Sequence, residues 1–180
     1  MPLPRCPVVD DREPSGGTGE AGFMGGAQPF LSRVTGKLDG KGRVCIPAAY
    51  RQILSAQATD GVYVCPSFHE EALECFGAEV LQRFHKLQSE LDPFFTPQHD
   101  DRARAVLAMT EQLPLDENGR VRLPDEMIAH AGLKEGAGVV FVGLGTKFQI
   151  WDSERFAPVL ARTLGNARAL RDAAGGGSAP

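Results

Sequence analysis

No apolar run in this sequence approaches the ~18–20 residues that span a bilayer. The run Val139–Val142 has the length of a buried strand. Basic residues are not in excess either. Nineteen Lys and Arg stand against twenty-three Asp and Glu, a net charge of −4. That balance excludes bulk, histone-like attraction to nucleic acid, though not a local basic patch. The opening residues, MPLPRCPVVDDREPSGG, lack the apolar core of a signal peptide, so Cys6 has no lipoprotein context. The four cysteines, Cys6, Cys45, Cys65 and Cys75, show no CxxC spacing. They read as reduced thiols of a cytoplasmic protein, not as a disulfide frame or zinc knuckle. No GxSxG or Walker sequence occurs, and no acid–base pair or activated nucleophile can be named. The expectation is a protein that is not an enzyme, with no cofactor, no metal and no small-molecule substrate.

What is present is globular in composition, with 42% apolar and 23% charged residues. Its length suits one ordinary domain or two small ones. The ends read differently. Residues 1–29 hold six Gly among Pro, Ser, Asp and Glu, too little apolar surface to offset the entropy of ordering them. They read as a disordered extension, and Met24 is an alternative start of translation. Residues 165–180 run through an Ala/Arg stretch into Gly-Gly-Gly-Ser-Ala-Pro and read as a flexible tail.

The centre repeats itself. Residues 39–47 are DGKGRVCIP and residues 116–124 are DENGRVRLP, an offset of 77. Asp, Gly, Arg, Val and Pro recur in register. Further along, Gly61-Val62-Tyr63-Val64 falls on Gly138-Val139-Val140-Phe141. A unit of about 50 residues has been duplicated, and a unit that small buries too little to be comfortably stable alone. The two are therefore expected to share one core, most simply as interleaved hairpins in a small β-barrel.

Each unit reads the same way. Val34–Leu38 alternates as a half-buried strand. Asp39-Gly40-Lys41-Gly42 is turn chemistry, with Gly42 free to take positive φ. Arg43–Ile46 is the return strand, and Pro47 suits the first turn of a helix over Ala48–Leu54. Strands follow at Val62–Cys65 and Ala72–Phe76, then a helix over Glu79–Leu91. The second unit runs through strand Gln112–Leu115, a turn at Asn118-Gly119, strand Arg120–Leu123 and helix Asp125–Ala131. Strands Val139–Val142 and Lys147–Trp151 follow, and the helix Ser153–Leu164 ends it. A further helix is expected over Asp100–Met109. The organisation is thus α+β: a first unit over 30–91, a connecting helical segment over 92–110, and a second unit over 111–164.

Charge separates the copies. Residues 31–51 hold five Lys/Arg and one acid, a local +4, whereas residues 113–135 hold three Lys/Arg and five acids, a local −2. The acidic average hides one basic ribbon, carrying Arg33, Lys37, Lys41 and Arg43. A two-stranded ribbon fits the DNA major groove and Arg can hold guanine bidentately, while Lys37 and Lys41 suit phosphates. Asp39 is placed to bond turn amides or to aim Arg43. A purely structural reading stands beside this one, because an Asp also closes ordinary hairpin turns and an Arg solvates their rim. For Arg120 both readings remain open; Asp116, with Gly119, reads as turn-closing.

The residues LDGKGRVCIP and LDENGRVRLP, the Arg102-x-Arg104 helix and the stretch Gly143–Trp151 closely resemble the MraZ family over about residues 29–160. The resemblance implies two AbrB-like swapped-hairpin units. It also implies a sequence-specific, double-stranded-DNA-binding transcriptional regulator of the bacterial operon for division and cell-wall synthesis, its own gene included. Its expected form is a ring-like homo-oligomer on tandem short repeats of DNA, cytoplasmic and nucleoid-associated. The competing class is an antitoxin-like protein-interaction module without DNA. A surface used only for protein contact need not keep a +4 ribbon and would favour aromatics.

Weaker candidates reduce to ordinary structure. His69-Glu70-Glu71 and His99-Asp100-Asp101 lack metal-ligand pairing. Gly143-Leu144-Gly145 leads into a strand, not into the helix that a dinucleotide loop requires. Phe148 and Trp151 suit a core.

Overall fold

The computed structural model describes residues 28–90 and 97–175. The expectations for the N-terminal extension up to residue 27, for Met24, for residues 91–96 and for residues 176–180 lie outside the described residues.

Among the described residues eight strands and five helices follow in chain order: β1 (Arg33–Lys37), β2 (Arg43–Cys45), α1 (Ala48–Ala56), β3 (Val62–Pro66), β4 (Leu73–Phe76), α2 (Ala78–Ser89), α3 (Pro97–Val106), β5 (Glu111–Leu113), β6 (Arg120–Arg122), α4 (Asp125–His130), β7 (Gly138–Gly143), β8 (Lys147–Asp152) and α5 (Ser153–Gly175). Their types follow from local pattern. Val44 alternates inward between Arg43 and Cys45, and Val121 between Arg120 and Arg122. Pro47 and Pro124 occupy the N-cap positions of α1 and α4, where a missing N–H leaves no helical bond unmade.

The strands pair across the repeat. Six form one antiparallel sheet in the order β1-β7-β8-β4-β3-β5, and β2 and β6 form a separate two-stranded ribbon. Strand β1 of the first copy pairs with β7 of the second, Thr35 facing Val140. Strand β5 of the second copy pairs with β3 of the first, Tyr63 facing Gln112.

Two expectations are corrected here. The core is not a closed barrel. Strands β1 and β5 end the large sheet at opposite edges, because each is followed by a tight turn that carries the chain into the ribbon. Nor do residues 34–38 and 43–46 pair as one hairpin. The turn between them closes, with Asp39 N donating to Arg43 O at 2.9 Å, but the strands then diverge into different sheets. Alternation specifies which face of a strand is apolar and does not specify its partner. Helix α5 also extends past residue 164, where composition places a flexible tail. Ala and Arg are strong helix formers, and the extension continues with residues 161–169 all exposed.

The core lies between the large sheet on one side and the ribbon, α1 and α4 on the other. It joins Val44, Ile46, Val121 and Leu123 to Tyr50, Met127, Phe141, Phe148 and Ile150, drawing on both copies. On the sheet's other face α5 lays Phe156 against Val140 and Trp151. Beyond that patch, Glu74 is 9% exposed. It accepts hydrogen bonds from Ser67 Oγ at 3.0 Å and Gln149 Nε2 at 2.8 Å, and pairs with Lys147 at 2.9 Å.

A candidate nucleic-acid interface on the two-stranded ribbon

The ribbon register sets Arg43 opposite Arg122, Val44 opposite Val121 and Cys45 opposite Arg120. The two valines are wholly buried. Period-two alternation therefore turns Arg43, Cys45, Arg120 and Arg122 to the other face. Three arginines on one short ribbon are an electrostatic cost, since like charges directly opposite destabilise a strand pair. Arg43 of the first copy and Arg120 and Arg122 of the second thus share one face. Composition, taken copy by copy, sets a basic ribbon apart from an acidic one; folding merges them.

The turns at the ribbon's two ends are near copies. Gly42 and Gly119 adopt φ of 70° and 74°, the left-handed conformation that glycine takes without strain. Gly42 N donates to Asp39 O at 3.0 Å, and Gly119 N to Asp116 O at 2.8 Å. Each turn's aspartate also receives two amides. Asp39 Oδ1 accepts from Lys41 N and Arg43 N, both at 2.9 Å; Asp116 Oδ1 accepts from Asn118 N and Arg120 N, both at 2.9 Å. Each turn is then clasped to the other copy's strand: Ile46 N donates to Gly119 O and Leu123 N to Gly42 O, both at 2.9 Å.

Asp39 does more than close its turn. Its Oδ2 accepts from Arg43 Nε at 2.9 Å and lies 2.8 Å from Nη2. The carboxylate holds the Nε–Nη2 edge of the guanidinium and leaves the Nη1–Nη2 end facing away. Nη1 leans toward Asp116 Oδ2 at 3.9 Å. With 29% of its side chain exposed, Arg43 is aimed but accessible.

Of the other basic candidates, Lys41 is exposed at the first turn, while Arg33 and Lys37 are exposed on β1 in the large sheet. Arg33 stands at the end of β1 remote from the turn, about 13 Å of strand away from Lys37. The structure thus gathers Lys41, Arg43 and Arg120 at the ribbon and sets Arg33 apart. Sequence reasoning missed Arg122, which faces Arg43 directly, although its alternation with Arg120 about Val121 was a usable signal. It also missed Arg51 of α1, whose side chain lies over the Gly119 turn.

Among the described residues no group of His, Cys, Asp and Glu is placed to hold a metal ion, and no helix is long and apolar enough to cross a membrane.

Partial burial pushes the Asp39 carboxyl up, but the bonds from the Arg43 side chain and from the two amides outweigh it and leave it below the usual carboxylate range. The Arg120 amide, then the Asn118 amide and the nearby arginines, hold Asp116 below that range too. A carboxylate depressed on folding stabilises above the unfolded value, about 3.9. That contribution is lost as pH falls through the lower folded value. Between pH 5 and pH 3 the parent should therefore lose more melting temperature than the doubly substituted Asp39→Asn, Asp116→Asn protein, which has neither group to protonate. Parallel melting curves for the two proteins across that range would remove the turns from the acid response.

Comparison with known proteins follows the same residues. Residues 106–173 match the family described as "MraZ protein, putative antitoxin-like". The chain is 39% identical over 142 residues to the transcriptional regulator MraZ of Beijerinckia indica, covering 79% of this chain and 85% of that one. It is 39% identical over 149 residues to the transcriptional regulator MraZ of Azorhizobium caulinodans, covering 83% and 93%. With the protein of that name from Rickettsia bellii it shares 34% over 133 residues, covering 73% and 87%.

Proposed function

The chain belongs to the MraZ family, and from that premise we propose that it is a transcriptional regulator that binds double-stranded DNA through the β2–β6 ribbon. Its relatives are named as transcriptional regulators, not as enzymes. The observation that carries the reading is the outward face of the ribbon, where Arg43, Arg120 and Arg122 stand together over a buried Val44–Val121 pair. A ribbon of two strands enters the major groove. The end of Arg43 left open by Asp39 suits the O6 and N7 acceptors of guanine. Lys37 and Lys41 supply point charges to phosphates. A polyanion would relieve the repulsion between Arg43 and Arg122.

The exchange of β1 and β5 between copies supports the reading of two AbrB-like swapped-hairpin units. One ribbon with three-residue strands makes few contacts for tight binding at cellular salt. Affinity then rests on several ribbons shown together. The two non-identical halves allow a heterologous contact that closes into a ring. The operator would carry tandem short repeats about one helical turn, ~10 bp, apart, in the division and cell-wall operon that includes the protein's own gene.

The test is a gel shift with duplex DNA from upstream of the protein's own gene, at several salt concentrations, beside a random-sequence duplex. Preferential binding of the upstream duplex is expected. Lys37→Ala and Lys41→Ala should weaken both duplexes alike and flatten the dependence of log K on log salt by about 0.9 per phosphate no longer neutralised. Equal binding of the two duplexes ends the claim of sequence specificity, and binding of neither favours the protein-interaction reading. Light scattering coupled to size exclusion addresses the assembly. A monodisperse monomer or dimer that still binds a single-copy site tightly overturns both ring and avidity.

A further inference from the structure

The geometry points to Arg51 of α1 as a further DNA contact, one that grips a phosphate beside the β2–β6 ribbon and makes its two ends unequal. This rests on the DNA-binding reading above and adds a residue to it.

The pseudo-symmetry exposes the feature. Each ribbon turn is roofed by the helix of the other copy, through residues that stand 77 positions apart. Over Gly42 the roof is Ile128: a β-carbon built on Gly42 would lie 3.1 Å from Ile128 Cδ1. Over Gly119 the roof is Arg51, with Cδ lying 2.7 Å from the corresponding point. One copy covers its glycine with a methyl group and the other with a guanidinium. Packing alone favours the methyl, since burying a polar group without a partner costs stability.

Arg51 is indeed without one. Its Nε is buried and has no hydrogen-bond partner. Among the described residues no acceptor meets either of its terminal nitrogens. Another partly buried ribbon-side guanidinium, that of Arg43, has Asp39. Within the turn under Arg51, Asp116 takes the amides of Asn118 and Arg120 on Oδ1 and has Arg43 Nη1 at 3.9 Å from Oδ2. Glu117 is exposed at the tip of that turn. The partly exposed head of Arg51 opens into a shallow groove along α1 that it lines with Ala48, Gln52, Ser55 and Ala56. Residues 48, 51, 52, 55 and 56 share one helical face, opposite buried Tyr50, Ile53 and Leu54.

A fixed cation with unspent donors, beside a ribbon that enters a groove, lies where the groove's flanking phosphates run. Arg is the residue that takes phosphate bidentately. Phosphate contacts fix register and orientation rather than sequence. With Arg51 at one end of the ribbon and Ile128 at the other, the DNA is held in a single direction across an otherwise two-fold surface.

The test uses the full-length protein, an upstream duplex from its own gene and a random-sequence duplex of equal length. Arg51→Ile installs the side chain that the other copy uses at the same place. Its melting temperature should equal or exceed the parent's. Its affinity for both duplexes should fall about five- to tenfold at low salt, with the salt slope reduced by about 0.9 for each phosphate that Arg51 neutralises in the parent. Arg51→Lys, which keeps the charge without the fork, should recover part of the affinity. Should Arg51→Ile fail to fold, Arg51→Gln decides the matter by removing the charge and keeping the stem. An uncharged, folded variant that binds both duplexes with the parent's affinity and slope overturns the proposed role of Arg51 while leaving the ribbon intact. A parent that binds neither duplex overturns the DNA-binding reading, and the role of Arg51 with it.

Discussion

Arg43→Ala is expected to abolish discrimination of the operator sequence while leaving a folded protein. The side chain is outward and contributes no apolar surface to the core, which at this point is built from Val44 and Ile46, both wholly buried. The turn survives as well: Asp39 Oδ1 still receives the backbone amides of residues 41 and 43, and only the bonds to Oδ2 disappear. One bidentate base contact is worth about 1–3 kcal/mol of discrimination. An assembly that engages several ribbons multiplies the loss. The measurement is a competition gel shift of upstream against random duplex, with circular dichroism to confirm folding. Unchanged preference for the upstream duplex would detach Arg43 from base reading and leave it a turn-closing residue.

Phe148→Ala should be the most damaging single truncation in the core. Phe148 is wholly buried. Its ring centroid lies 5.0 Å from that of Phe30, 4.9 Å from Tyr50 and 6.4 Å from Phe141. Phe30 and Tyr50 come from the first copy, Phe141 and Phe148 from the second, so this cluster bonds the halves into one unit. Removing such a ring costs about 3–5 kcal/mol in transfer energy and cavity. That is a large share of the ~5–15 kcal/mol that holds a typical fold together. For a chain of this length it corresponds to a drop of roughly 10 °C or more in melting temperature. Tyr50, whose hydroxyl lies 2.9 Å from Leu31 O and 2.8 Å from Ser32 O, should lose its anchorage at the same time. Thermal unfolding followed by circular dichroism checks this. A cost under about 1 kcal/mol would mean that the two halves are not joined through this cluster.

Much was decided by the sequence alone. Turn chemistry is local, so Asp39, Gly42, Asp116 and Gly119 declare two tight turns without help from the rest of the chain. The glycines do adopt positive φ, and the aspartates do receive the amides of their own turns. Apolar periodicity is local too, and it marked Arg43–Ile46 and Arg120–Leu123 as strands, whose Val44, Ile46, Val121 and Leu123 are wholly buried. The offset of 77 residues disclosed the duplication, and residues 39–47 and 116–124 carried the family.

Partnership was decided only by tertiary structure. Which strand lies beside which depends on contacts far apart in the chain, and alternation is the same whatever the neighbour. The reading of residues 33–46 as one hairpin therefore missed that β1 belongs with β7 and β2 with β6. The same blindness separated a basic copy from an acidic one, when folding sets Arg43, Arg120 and Arg122 on one face. It concealed the Glu74–Lys147 pair, whose members stand on neighbouring strands of different copies. And it left Arg51 among the charges of a helix, because only the packing of α1 over the second turn places that guanidinium, without a partner, beside the ribbon.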